Sequence, residues 1–435
     1  MRGTARQKRL GAGGLVLAAT MSATLGARAQ ELGASLSAPA PATRPESVLE
    51  TGSGLARPSA RGATEAVVSG PGLGPFGGVA HATAARPARV AVSILGSLAA
   101  PLRSVLATDL AYVREVRLDD AGELVISGAG FGHDGVARAE LVLGDRAGEH
   151  GALRRTYEGD EEGLARFVHG FVDDVVEALT ARRSVFVSRL AFARRVGAGR
   201  KDVYTIDADG GNLERVSSGR GVATLPALSP DGVWYTMVTP TSVFITRTGV
   251  GERPVVGGPG IHMGATICGG RLYFSSARNG NTDIYTAAID GSAERRLTEH
   301  DAIEVSPTCA PGDRIAFVSD RTGTPQIWVM DRDGNDERQV TREESSTQTP
   351  TWCDDRLAFT AVGGGAPMRI MVMDLRTGAT RRISPAGGPH KDPAFSPDCR
   401  MIAFTSPRGL EIAAPDGRMR RLVAPGHAET VRWGD

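Results

Sequence analysis

From residue 185 onward one short pattern returns six times, and few folds can accommodate it. A branched aliphatic residue is followed two positions later by an aromatic one: Leu190-Ala191-Phe192, Val233-Trp234-Tyr235, Leu272-Tyr273-Phe274, Ile315-Ala316-Phe317, Leu357-Ala358-Phe359 and Ile402-Ala403-Phe404. Side chains alternate across a strand, so each such pair shares one face and can pack on a neighbouring sheet. The spacing is roughly 39 to 45 residues, the length of one four-stranded propeller blade.

The copy from Ser306 to Thr341 shows the whole unit. A strand at Ser306 to Cys309 is followed by a Pro/Gly/Asp turn, and Ile315 to Ser319 forms the second strand. A turn over Asp320 to Pro325 leads to Ile327 to Met330, an Asp-Gly turn over Asp331 to Asn335 follows, and Arg338 to Thr341 completes the set. The third strand recurs at Val203-Tyr204, Val243-Phe244, Ile284-Tyr285, Ile327-Trp328, Ile370-Met371 and Leu410-Glu411. The fourth ends near Val216, Val256, Leu297, Val340, Ile383 and Leu422.

The first copy lacks the Pro-initiated strand seen elsewhere as Pro226-Ala227-Leu228, Pro350-Thr351-Trp352 and Pro393-Ala394-Phe395. A strand of that character stands at the far end, Thr430-Val431-Arg432-Trp433. The expected fold is therefore a small α/β N-terminal domain followed by an all-β six-bladed propeller that the C-terminal strand closes, so that no edge stays open.

The remaining chain divides by composition. Residues 1–29 read as a signal peptide, with basic Arg2, Arg6, Lys8 and Arg9, an apolar Leu10 to Leu25 and the small-x-small site Ala27-Arg28-Ala29. No other stretch is long and apolar enough to span a bilayer, so an exported, soluble chain is expected. Residues 30–88 are rich in Ala, Pro, Gly and Ser and read as a disordered tether. Residues 89–183 form the α/β domain, with strands at Val90 to Leu95, Val113 to Leu118, Glu123 to Ser127 and Ala137 to Leu143 and a helix at Ala99 to Leu110. A second helix over Asp160 to Thr180 carries Leu164, Phe167, Val168, Phe171, Val172, Val175, Val176 and Leu179 on one stripe. Residues 184–435 hold the propeller.

Formal net charge is +1, which gives no reason to expect nucleic acid or an anionic membrane surface as partner. No G-x-S-x-G elbow occurs, and the Asp331 to Asp336 and Asp207 to Asp209 runs lack the order of a calcium loop. His262, His300, His390 and His427 all precede the first strand of a repeat. Their offsets differ, so they read as polar loop or partner contacts rather than metal ligands. Cys268, Cys309, Cys353 and Cys399 fall at or near the first turn of successive repeats. Without a CxxC they are expected to be free and buried; a disulfide remains open, with three pairings the spacing cannot choose among. No cofactor and no metal are expected.

The Ser229-Pro230-Asp231 and Ser396-Pro397-Asp398 turns resemble the PD40 variety of WD40-like propeller, and the order of parts over Arg89 to Asp435 resembles the TolB family. The resemblance implies a non-enzymatic periplasmic component of the Tol-Pal system that binds a Pal-like peptidoglycan-associated lipoprotein at the propeller mouth. It also implies contact with a TolA-like inner-membrane protein through the N-terminal region, in support of envelope integrity and cell division, by a protein expected to be monomeric. His262-Met263-Gly264-Ala265 is similar to the family's His-Asn-Gly-Ala loop, which makes His262 and Ala265 partner-binding candidates. Glu304 and Ser306, also candidates, stand where the family often has Thr-Glu-Pro, with the acidic residue out of register; His390 and Asp392, where the chain enters a later repeat, are the remaining partner-binding candidates. The alternative is a secreted metal-dependent oligosaccharide lyase or hydrolase that uses channel histidines. A PD40 propeller with an unrelated peptide partner is the third reading.

Overall fold

The computed structural model describes residues 66–68, 86–147 and 153–434, so the expected signal peptide and most of the expected tether lie outside the described residues. The chain forms two compact units, one ending at Val187 and one beginning at Ser188. No described helix is long and apolar enough to cross a membrane.

In the first unit the strands are β1 (Ala66–Val68), β2 (Ala88–Leu95), β3 (Val116–Leu118), β4 (Leu124–His133), β5 (Val136–Asp145) and β6 (Leu153–Gly159). They form one sheet in the order β1-β6-β5-β4-β2-β3, with β2 parallel to β3 and β4 and the remaining pairs antiparallel. β1 falls inside the stretch expected as a tether. Helices α1 (Ala99–Leu110) and α2 (Leu164–Thr180) pack on each other and on the sheet. The expected apolar stripe is fully inside, from Leu164 to Leu179. α2 begins four residues later than its acidic start suggested, because Asp160 Oδ1 instead accepts the Gly163 N–H at 2.8 Å, which makes a turn of that segment.

The second unit is all β. Its strands begin with β7 (Arg189–Gly197), β8 (Arg200–Asp207), β9 (Glu214–Arg215), β10 (Val222–Ser229), β11 (Gly232–Val238) and β12 (Val243–Arg247). Next come β13 (His262–Cys268), β14 (Arg271–Ser276), β15 (Asp283–Ala288), β16 (Arg295–Arg296), β17 (Glu304–Ala310), β18 (Arg314–Ser319), β19 (Gln326–Asp331) and β20 (Arg338–Gln339). The last are β21 (Ser346–Cys353), β22 (Arg356–Gly363), β23 (Ala366–Asp374), β24 (Thr380–Arg382), β25 (Lys391–Phe395), β26 (Ile402–Ser406), β27 (Gly409–Ala413), β28 (Arg421–Pro425) and β29 (Ala428–Gly434).

Strands β13 to β28 make four sheets of four strands each, in chain order. The others join in a seven-stranded sheet, β12-β11-β10-β8-β7-β29 with β9 on β8. The count of separate sheets is therefore five rather than six, because a single bridge, Val222 to Lys201, links β10 to β8. β29 pairs antiparallel with β7, Trp433 opposite Leu190 and Gly434 opposite Arg189. The first strands also meet in sequence: β10 touches β13, then β17, β21, β25 and β29 follow, and β29 touches β10.

The repeated aromatic residues Phe192, Tyr235, Phe274, Phe317, Phe359 and Phe404 are all fully buried. All but Phe192 join clusters that interleave consecutive sheets, as where Leu357 and Phe359 pack with Val318 and Ile327. Each such burial contributes about 1.5–3 kcal/mol.

Every first strand carries a bulge, and at it one residue has a left-handed backbone: Leu225, Gly264, Ser306, Thr349, Asp392 and Thr430, with φ between 48° and 69°. Five of the six are not glycine, so the conformation costs about 1 kcal/mol or more at each. Hydrogen bonds between neighbouring repeats offset that cost. Gly264 N–H donates to Thr236 Oγ1 at 3.0 Å and Asp392 N–H to Thr360 Oγ1 at 3.1 Å. Thr430 N–H donates to Asp392 Oδ2 at 2.9 Å, and Leu225 N–H to Thr430 Oγ1 at 3.3 Å.

The cysteines correct an expectation. None is free: Cys268 bonds Cys309 and Cys353 bonds Cys399, each with Cα atoms 5.6 Å apart. Neither pair is close in sequence, but each joins the end of one first strand to the next sheet, which brings the two Cβ atoms within bonding reach.

Candidate functional site

The strand register places His262, Glu304 and His390 at matching positions, each two residues before the left-handed residue of its strand. All three sit where a loop enters the first strand, and all are buried.

His262 lies opposite Ser276 in the β13–β14 register. Its Nδ1 is 3.0 Å from Ser276 Oγ and 3.2 Å from Arg278 Nη2, and Arg278 Nε donates to the same hydroxyl at 3.0 Å. Arg278 also pairs with Glu294 and stacks over the Tyr285 ring at 4.9 Å. A guanidinium can only donate, so Nδ1 is the acceptor and the imidazole is neutral. Burial first, and then the Arg278 charge, hold its pKa below the ordinary imidazole value.

The next repeat rebuilds this device with other residues. Glu304 takes the place of His262, bonded by Ser319 Oγ at 3.2 Å and paired with Arg321, which reaches Glu337 with its other nitrogen. Arg321 Nε donates to Ser319 Oγ at 3.0 Å and its guanidinium covers Trp328 at 4.6 Å. The sequence signal is Ser-x-Arg at the end of the second strand, Ser276-Ala277-Arg278 and Ser319-Asp320-Arg321; sequence reasoning passed over it.

His390 sits edge-on to Phe404 with centroids 5.9 Å apart, and burial lowers its pKa. Its N–H donates to the Met368 carbonyl at 2.8 Å. Asp392 is spent on Thr430 N–H and the Thr405 hydroxyl, and Ala265 belongs to the core cluster shared with Trp234 and Phe274. Of the six candidate contact residues only Ser306 keeps partial exposure; the other five are at most 4% exposed, so any surface role they have is to fix the loops above them.

The exposed groups at this end are in those loops. Gly258 to Gly260, Glu299 to Asp301, Arg342, Glu344, Ala386, Gly387, Pro389, Gly426 and His427 are exposed. Strand direction brings them to one end, since each loop leads into a first strand. His300 is pinned there, its Nδ1 accepting the Ala302 N–H at 3.0 Å and its carbonyl accepting from Asn281 at 2.6 Å. Among the described residues, no three His, Cys, Asp or Glu side chains converge in a way that could hold a metal.

Comparison with known proteins extends these observations. A family model for the TolB β-propeller domain (PD40) matches residues 176–434, more than half of the chain. A TolB homologue from Chlorobaculum tepidum is 32% identical over 41% of this chain and 42% of its own length. A Tol-Pal system protein TolB from Desulfosudis oleivorans is 32% identical over the same shares. The chain thus spans about two-fifths of the length of the curated relatives it matches. The crystal structure of TolB from Acinetobacter baumannii superposes with a TM-score of 0.64 at 20% identity, over 80% of this chain and 96% of that one, a likeness of fold. With the TolB β-propeller model matched over every strand of the second unit, the chain belongs to the TolB family.

Proposed function

We propose that the second unit is a six-bladed propeller closed by β29, and that the protein is a non-enzymatic periplasmic scaffold of a Tol-Pal system. On this reading the seven-stranded sheet is two blades joined by the Val222 bridge, and the neighbour-to-neighbour run of first strands from β10 to β29 and back supports six. Residues 1–29 act as a cleavable export signal.

The observation that carries the functional reading is the division of labour at the loop-bearing end. Exposed loops project from several repeats, while the side chains beneath them, His262, Glu304 and His390, are locked inside. A rigid surface assembled from several loops suits docking of a folded partner without covalent chemistry. The partner we assign to it is a Pal-like peptidoglycan-associated lipoprotein, with Ser306 and the pinned His300 loop at the contact and a TolA-like protein engaged by the N-terminal region.

Titration of the full chain with the soluble domain of a Pal-like lipoprotein tests this. Binding at micromolar concentration or tighter is expected, and replacing His300 and Asp301 together by alanine should weaken it at least tenfold without changing the melting temperature. No binding at that concentration, or unchanged affinity in the double variant, would count against the assignment.

A further inference from the structure

The first strand of each repeat has one position opposite the middle residue of the aliphatic-x-aromatic triad. The register gives Ala227, Thr266, Thr308, Thr351, Ala394 and Arg432. All six share one level of the strands β10, β13, β17, β21, β25 and β29, each of which touches the next. Five of the residues are small and neutral. The sixth is an arginine.

Arg432 is flanked at this level by Ala394 on β25 and Ala227 on β10, both buried and too small to fill the space beside a guanidinium. The three threonines occupy the other half of the circuit and are half-buried, as is Arg432. Both faces of every sheet are covered by its neighbours, so solvent reaches mid-strand side chains on inner strands only from the space those strands enclose.

The charge there is unbalanced. Arg432 Nη1 donates to the Val431 carbonyl at 3.0 Å, and among the described residues no carboxylate oxygen lies within ion-pair distance of it. Asp392 attracts it from further off, but that carboxylate is occupied by the Thr430 N–H at 2.9 Å, the Thr405 hydroxyl at 3.4 Å and Lys391 Nζ at 4.0 Å. Lys391 also faces Glu429, whereas Asp392 is the carboxylate that acts on Arg432. A guanidinium presents five donors in a planar fork that matches an oxyanion, and here most of them face no protein acceptor. Desolvation makes the uncompensated cation costly, and a bound anion relieves that cost.

The Thr351 Oγ1 accepts the Phe395 N–H at 3.2 Å and Thr266 Oγ1 lies 4.0 Å from Cys309 Sγ, so both are turned to the neighbouring strand. We propose that the enclosed space at this level is a binding site for a carboxylate, held by Arg432 and by the hydroxyl of Thr308 on the strand across the circuit. The site rests on the closed six-bladed reading above. The carboxylate comes either from a free small acid or from an acidic side chain that a docked protein inserts along the axis.

The test uses the full chain with [15N]arginine labelling and two probes at matched ionic strength, sodium acetate and a blocked Gly-Asp-Gly tripeptide, with sodium chloride as control. The Arg432 Nε–H resonance, identified by its loss in Arg432→Gln, should shift and saturate with acetate and stay put with chloride. A response to acetate and tripeptide alike admits a side-chain source, and a response to acetate alone a free acid. Thr308→Val, which leaves the arginine in place, should weaken acetate binding severalfold. An Arg432 resonance that ignores acetate, follows chloride equally, or titrates unchanged in Thr308→Val overturns the site. No partner protein enters the experiment, so its failure leaves the Pal-docking assignment standing, and failure of docking leaves this site standing.

Discussion

The carboxylate of Asp392 accepts a hydrogen bond from the backbone N–H of Thr430 at 2.9 Å, joining β25 to β29 across 38 positions of sequence. Asp392 is itself left-handed at its bulge, and so is Thr430. Two strained residues thus stabilise each other at the seam where the chain's C-terminal strand meets the preceding sheet. Asp392→Ala strands a buried N–H there, at an expected cost of roughly 2–3 kcal/mol in a urea melt, with faster amide exchange concentrated in residues 428–434. A cost below about 0.5 kcal/mol would show that the seam is held otherwise.

Trp433 provides the second contact of β29, its Nε1–H donating to Ser188 Oγ at 2.8 Å over 245 residues of separation. Trp433→Phe removes the donor together with the pyrrole part of the indole, which should cost about 1 kcal/mol or more. Ser188→Ala should cost about the same, and the double variant should not cost the sum. Additive losses would refute the pairing.

The disulfides close stretches of 41 and 46 residues. In the chain-entropy account each is worth up to roughly 4 kcal/mol. Replacing Cys268 and Cys309 by serine should lower the urea midpoint and raise sensitivity to proteolysis between β13 and β20, and the variant with both pairs replaced should lose more. Insensitivity of the wild-type protein to a strong reductant in the same melt would contradict the assigned pairs.

Acid should act on the two units in opposite senses. Burial pushes Asp173 up to about 6, although the Phe186 and Val187 N–H groups pull the other way. A carboxyl raised in the folded state adds stability that is fully present below its unfolded value near 3.8 and is lost as pH rises through about 6. His262 and His390 are lowered, so their contribution is present above the unfolded value of 6.5 and is lost as pH falls toward the folded values. All four tryptophans, Trp234, Trp328, Trp352 and Trp433, belong to the second unit, and their fluorescence isolates it. Its urea midpoint should fall between pH 7.5 and 5.5, less so in His262→Gln with His390→Gln. Amide exchange of α2 should slow over the interval from pH 6 to 4, after correction for intrinsic rate, and Asp173→Asn should abolish the trend.

The repeat was legible because its signal is redundant: six copies of Leu-Ala-Phe-like triads each report the same alternation, and every one lies in a second strand of the expected kind. The outermost strands were less so, since β9, β16 and β20 are two residues long and carry charged side chains that look like turn. β6 was missed because Leu153-Arg154-Arg155-Thr156-Tyr157 has only two apolar residues four apart, yet Tyr157 and Leu153 supply the buried face. The left-handed residues give no sequence signal, being Leu, Ser, Thr and Asp as well as Gly. The buried fate of His262, Glu304 and His390 follows from partners such as Arg278 and Arg321, sixteen or seventeen residues on, that only the fold brings near.

Arg189 and Gly434 stand directly across from each other in the β7–β29 ladder. Tension applied between the two ends of this unit would therefore peel the ladder open one rung at a time, in the manner of a zipper, rather than shear all its rungs at once. A protein tethered at both ends would part there first and under modest load, while the four separate sheets stayed intact.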